Sequence, residues 1–192
     1  MCLLKEFIAS VGGVSPLTNK YFQSALGIPK DVLTGPGAAL LGRAKIQLYD
    51  GGFYEPNPDG TDALIVPCGY RGPYGISWDE VFDLVAFHPR EPGKWYRLSG
   101  VARFLGQDNL DRAAQRGEML AVYETPLSWL RSGAQGVCIV DWRGAVGLDL
   151  PILLAIVCEN VALGKRLDAA LQFPQRRAPE IRVMNQDVRH AA

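Results

Sequence analysis

The chain has 192 residues, with 20 Lys+Arg against 20 Asp+Glu and a formal net charge of zero. Its 48% hydrophobic and 21% charged residues are the balance of a globular protein and exclude collagen-like, coiled-coil and disordered classes. A neutral balance also argues against coating nucleic acid through a general basic surface.

Leu3, Leu4, Phe7 and Ile8 recur at helical spacing and predict a short first helix ending before Gly12-Gly13. Ser15 is a good N-cap with Pro16 in the first helical position. The second helix should therefore start there, bury Leu17, Tyr21, Phe22, Ala25 and Leu26, and stop at Gly27. Thr34-Gly35-Pro36-Gly37 breaks the chain.

The middle reads as β. Residues 45–49 alternate, Asp50-Gly51-Gly52 turns and Phe53-Tyr54 resumes, which is a hairpin pattern. Pro58-Asp59-Gly60 turns again before a strand over 63–66. Residues 81–87 form a nearly continuous apolar run interrupted by Asp83, and a Pro/Gly loop leads from it into residues 94–98 as a second hairpin. Ser77-x-x-Glu80 is a capping box that would instead start a helix at Trp78. The strand is preferred, because Phe87-His88-Pro89 closes the run after seven residues.

Further on, residues 109–115 suit a helix capped by Asp108, 119–123 a strand, 126–131 a helix opened by Thr125, and 136–140 a strand. A long helix is expected from the Asp149 cap to Pro174. Its apolar stripe is Ile152, Ile156, Leu163, Leu167 and Leu171, and Lys165-Arg166 lie toward the negative end of its dipole. Residues 179–183 offer an edge strand. The expected class is α+β: a single domain over 1–192 with a mixed or antiparallel sheet of short hairpins, an N-terminal helical pair and one long C-terminal helix. Its parts are a helical segment over 1–43, an α+β body over 44–184 and a tail over 185–192.

Charge is uneven. Residues 45–93 carry three bases against eight acids, and residues 164–192 six bases against three acids. This predicts two solvated surfaces of opposite sign or, in a sharper reading, a basic C-terminal contact for nucleic acid or an acidic partner. The cysteines Cys2, Cys68, Cys138 and Cys158 form no Cys-x-x-Cys pair, and Cys138 and Cys158 sit in apolar runs, as buried thiols of a reducing cytosol do. His88 and His190 have no cysteine at zinc-ligand spacing. The first residues are broken too early by Lys5 and Glu6 for a secretory signal. The longest apolar run, residues 150–158, falls short of the ~20 residues of a membrane span. A cytoplasmic location without membrane contact is expected.

The catalytic motifs fail in turn. Gly75-Ile76-Ser77-Trp78-Asp79 lacks the second glycine of a nucleophile elbow, and neither histidine is placed as a base. Glu55-x-Asn57-x-Asp59-Gly60 opens like a calcium loop, but its twelfth position is Val66 where a bidentate Glu is required. Gly35-Pro36-Gly37-Ala38-Ala39-Leu40 lacks the Gly-Lys-Ser/Thr of a phosphate loop. Residues 22–29 have the cadence of a helix-turn-helix, yet the reading helix would be Lys30-Asp31-Val32-Leu33, too short to fill a groove.

Residues 120–141 run strand, Glu124, helix, Gly133, strand, Asp141. In this order they resemble the opening of a Toprim module, the metal-binding fold of primases and topoisomerases. Thr125 stands where that family has Gly, and Asp141-Trp142-Arg143 stands where it has Asp-x-Asp. The resemblance implies that any metal ligands would be Glu124 and Asp141. The segments Val81-Phe82-Asp83-Leu84-Val85-Ala86-Phe87, Thr125-Pro126-Leu127-Ser128-Trp129-Leu130-Arg131, Gly136-Val137-Cys138-Ile139-Val140-Asp141 and Pro179-Glu180-Ile181-Arg182-Val183 resemble uncharacterised proteins of prophage-like regions in high-GC proteobacteria. That likeness implies a genomic setting and no mechanism.

With no catalytic set, no metal site and no cofactor in view, the leading expectation is a non-enzymatic accessory protein of a mobile element that binds a protein or protein complex, as a regulator or an inhibitor of a host defence complex. Trp95, Tyr96, Trp142 and Arg143 are the partner-binding candidates, since Trp, Tyr and Arg concentrate at binding hot spots. The alternative is a nucleic-acid-associated protein, either a DNA-binding regulator or a degenerate Toprim-like metal-dependent module.

Overall fold

The alternation over residues 45–54 builds the hairpin it predicts. The computed structural model describes residues 3–12, 16–34, 41–69, 71–72, 75–76, 81–142, 150, 153–172 and 180–183. In it β1 (Gly42–Tyr49) pairs antiparallel with β2 (Phe53–Pro56), Leu48 opposite Tyr54. Gly51 and Gly52 take φ of 86° and 83° in the turn, a left-handed backbone that glycine adopts without steric cost.

β3 (Thr61–Cys68) flanks β1 on its other side, β6 (Asp83–Phe87) flanks β3, and β7 (Trp95–Arg97) flanks β6, all antiparallel. Both expected hairpins are therefore present, but they do not lie in one open sheet. A parallel pairing of Phe53 with Arg97 joins β2 to β7 and closes a barrel, β1-β2-β7-β6-β3. A separate ribbon pairs β4 (Arg71–Gly72) with β5 (Gly75–Ile76). The capping-box residues 77–80 lie outside the described residues.

Period-two alternation then sorts side chains to the two faces of the barrel wall. Ile46, Tyr54, Ala63, Ile65, Leu84 and Ala86 form one core with Phe7 of α1 (Leu3–Gly12), and Tyr96 packs against it. Their neighbours Leu64, Val66, Val85 and Phe87 face the opposite way. They join Phe22 of α2 (Pro16–Ser24), Val32 and Leu33 of α3 (Lys30–Thr34), and Leu127, Trp129 and Leu130. The N-terminal segment thus has three helices rather than the expected pair. Gly27, at φ 68°, follows the end of α2, and the third helix has only five residues.

The second half forms a five-stranded sheet ordered β12-β11-β9-β10-β8. Its elements are β8 (Phe104–Leu105), α4 (Gln107–Arg116), β9 (Leu120–Tyr123), α5 (Pro126–Arg131), β10 (Val137–Ile139), β11 (Ala155–Cys158), α6 (Val161–Leu171) and β12 (Glu180–Val183). The four strands β9 to β12 run parallel and β8 antiparallel. Thr125 caps α5 as expected, its side chain accepting from the Ser128 N–H. At α4 the N-cap is Gly106, φ 78°, with no side-chain cap; Asp108 lies in the first turn.

The expected long C-terminal helix is corrected. Residues 155–158 are a strand inserted between β9 and β12, and the helix begins only at Val161 behind an Asn160 cap. Ala155-Ile156-Val157-Cys158 is a β-branched apolar run that fills an interior slot of a parallel sheet, where continuous hydrophobic runs belong. Lys165 and Arg166 consequently sit in the middle of α6, with no basic residue in its last turn. The expected cap Asp149 lies outside the described residues. The edge strand at the C-terminus is present, β12 pairing parallel to β11 with Ile181 opposite Ile156. Among the described residues no helix is long and apolar enough to cross a membrane.

Candidate functional site

From β9 the chain crosses through α5 to β10 on one side, and from β11 through α6 to β12 on the other. Strand order therefore reverses between β9 and β11. In an open parallel sheet this is where a crevice forms at the carboxyl ends of the strands, because the two following helices diverge. Glu124 is the residue directly after β9, and Glu159 and Asn160 directly follow β11.

These three residues are tied together. The Glu124 N–H donates to Glu159 Oε2 at 2.9 Å, and Asn160 Nδ2 donates to Glu124 Oε2 at 2.8 Å. Asn160 Oδ1 accepts from the Leu163 N–H at 2.8 Å, so one amide both caps α6 and orients a carboxylate. The Glu159 N–H donates to Val122 O, extending the β9–β11 ladder to the crevice. Glu124 is exposed, and Glu159 and Asn160 are half-buried. At this edge the opening of α6, with its backbone N–H groups, stands beside two carboxylates.

Asp141, the expected partner of Glu124, points elsewhere. Its carboxylate takes Arg97 Nη1 at 3.0 Å, while that guanidinium also donates to the carbonyls of Gly100 and Ala102. The carboxylate joined to Glu124 is Glu159, a residue that the sequence reading hid inside a helix. Among the described residues no group of three or more His, Cys, Asp or Glu gathers to hold a metal ion.

Of the four partner-binding candidates, the three that are described pack against different cores. Trp95 faces the core shared with the helices and donates its indole N–H to Val140 O at 3.0 Å. Tyr96 packs against the core on the other face of the wall. Trp142 packs against the core of the parallel sheet with Arg166 stacked 3.8 Å from its ring centroid. Arg143 lies outside the described residues. Cys68, Cys138 and Cys158 are free buried thiols, and burial raises all three above the ordinary thiol range, Cys158 to about 11.

No protein-family profile matches the chain, and no curated protein matches it either. Among solved structures it is similar to the Aquifex aeolicus primase in a structure of its zinc-binding and RNA polymerase domains, with a TM-score of 0.52 and 13% identity. The match covers 88% of this chain and 50% of the primase chain, so this chain spans about half the length of that structure. At this identity the likeness is one of fold.

Proposed function

We propose that this chain is a nucleic-acid-associated module that holds a phosphate-bearing strand at the β9/β11 crevice through a divalent cation. The observation that carries the reading is the convergence of Glu124, Glu159 and Asn160 where the strand order reverses. The likeness to a primase fold supports nucleic acid as the partner. So does the resemblance of residues 120–141 to a Toprim opening, a stretch that is β9–α5–β10.

Magnesium is bound by one or two carboxylates together with substrate phosphates and water. Two carboxylates, each engaged through a named oxygen, fit that limited share of the coordination shell. The opening of α6 beside them suits the phosphate. With no third acid beside them among the described residues, the module binds a strand, and turnover is no part of the proposal. Trp95 and Trp142 serve packing within this reading, and the role of accessory protein to a mobile element stays compatible with it as a biological setting.

The test is fluorescence anisotropy of labelled single-stranded DNA and RNA at low salt, with magnesium or with EDTA. It compares the wild-type chain with Glu124→Gln and Glu159→Gln. Each glutamine keeps an oxygen that can accept the existing bond, so the fold is retained while a charge is removed. Magnesium-dependent binding that both variants lose is expected. Absence of binding at low salt, where phosphate contacts are strongest, or binding indifferent to both variants and to EDTA, overturns the proposal.

A further inference from the structure

A second cleft lies in the N-terminal half, where α2 crosses the barrel wall. It encloses about 360 Å³, within the range of small-ligand sites (~300–1,000 Å³). Thr18, Tyr21 and Phe22 of α2 line one side, and Arg43, Asp62 and the loop after β6, with His88 and Arg90, line the other. It shares no residue with the β9/β11 crevice.

Its lining separates into an aromatic part and a cationic part. Tyr21 is 51% exposed, although the adjacent Phe22 is 2% exposed in the core. Two guanidiniums, Arg43 and Arg90, stand against one carboxylate, Asp62, which Arg43 meets at 3.1 Å. Arg43 is thereby oriented on the cleft wall while its guanidinium keeps further donors. The Arg90 backbone N–H donates to His88 Nδ1 at 3.2 Å, which fixes the turn that carries Arg90 and leaves Nε2 outside that bond.

We infer that this cleft is a nucleotide site: Tyr21 stacks a base, and Arg90, Arg43 and His88 hold the phosphate. An exposed ring beside guanidiniums is the combination that proteins use for unpaired bases, the ring supplying a π-face and the cations tracking the phosphate. Asp62 offers an acceptor for a sugar hydroxyl or a base amine. The inference stands apart from the crevice, and its ligand can be a free nucleotide or one unit of a single strand.

Isothermal titration with ATP, and anisotropy with a labelled short oligothymidylate, separate those two sources, with tripolyphosphate as the base-free control. Tyr21→Ala and Arg90→Ala should each weaken binding by about tenfold, the size of one stacking or phosphate contact. Tyr21→Trp should restore it. These titrations are made in EDTA, where the cation-dependent crevice is silent, so that failure of the crevice and failure of the cleft are read separately. Three results overturn the inference: no binding of either probe, tripolyphosphate binding as tightly as ATP, or Tyr21→Ala and Arg90→Ala binding like wild type. Tyr21 and Arg90 are exposed, and far-UV circular dichroism of both variants confirms that the fold is intact.

Discussion

Asp83 is the most consequential polar residue of the barrel. It is fully buried, 0% exposed, in a run of apolar neighbours. Its Oδ1 accepts the N–H groups of Leu84 and Ser99, each at 2.8 Å, and its Oδ2 accepts that of Ala102 at 2.9 Å. The carboxylate thus fastens the chain leaving β7 to the start of β6. Burying a charge is costly, so removing it could in principle stabilise the fold. Here three donors compensate the charge, and the removal would orphan them. Asp83→Asn keeps one oxygen for Leu84 and Ser99 but turns an amide donor toward the Ala102 N–H. Hydrogen bonds to a charged group are worth about 1.5–3 kcal/mol each. One bond lost and two weakened should cost about 3 kcal/mol, and Asp83→Ala, which orphans all three, about 5 kcal/mol. Urea unfolding followed by tryptophan fluorescence and by far-UV circular dichroism measures the difference. A loss below about 1 kcal/mol for Asp83→Asn would refute the assignment of Asp83 as a buried anchor.

Two further predictions rest on single residues. Thr125→Ala removes the cap of α5 and should cost about 1 kcal/mol. Asn160→Ala should cost more, because it uncaps α6 and also releases Glu124; equal losses in urea unfolding would count against the shared role. The buried thiols predict loss of stability in alkali. Burial holds Cys158 at about 11 against an ordinary 9.0 and raises Cys68 and Cys138 in the same direction. The folded chain therefore keeps protons that the unfolded chain releases. This stability is fully present below pH 9.0 and is lost as pH rises through about 11, at about 1.4 kcal/mol per pH unit for each such thiol. A urea midpoint that stays level between about pH 8 and about pH 10 would contradict this sign.

The hairpins and α5 are legible in the sequence because their signals are local. Alternation over residues 45–49 with Asp50-Gly51-Gly52 fixes β1–β2, and Thr125-Pro126 fixes the start of α5. Barrel closure has no such signal, since Phe53 meets Arg97 across a long stretch of chain. β11 fails for another reason: Ile156, Leu163, Leu167 and Leu171 are all buried, so a strand followed by a helix mimics one helical stripe. What separates the two is Asn160, whose side chain caps the later start. The consequence reaches the site. Glu124 is legible because β9 and α5 are, but Glu159 becomes an edge residue only once residues 155–158 are a strand.

The same logic explains why Asp141, although it follows a parallel strand, belongs to a different task. Residues 140 and 141 follow β10 and are taken up by the barrel. The indole of Trp95 donates to Val140 O, Arg97 bonds Asp141, and the Val140 and Asp141 N–H groups both donate to Arg103 O. β10 is also the strand that meets antiparallel β8, where the parallel run ends. A carboxylate there is a tether between the barrel and the sheet, with side chains 14% and 24% exposed in the Arg97–Asp141 pair. On the proposed reading a ligand-holding carboxylate needs an open side, and Glu124, exposed after β9, has one. In this fold, then, strand order assigns the acids: Asp141 to cohesion, and Glu124 with Glu159 to the crevice.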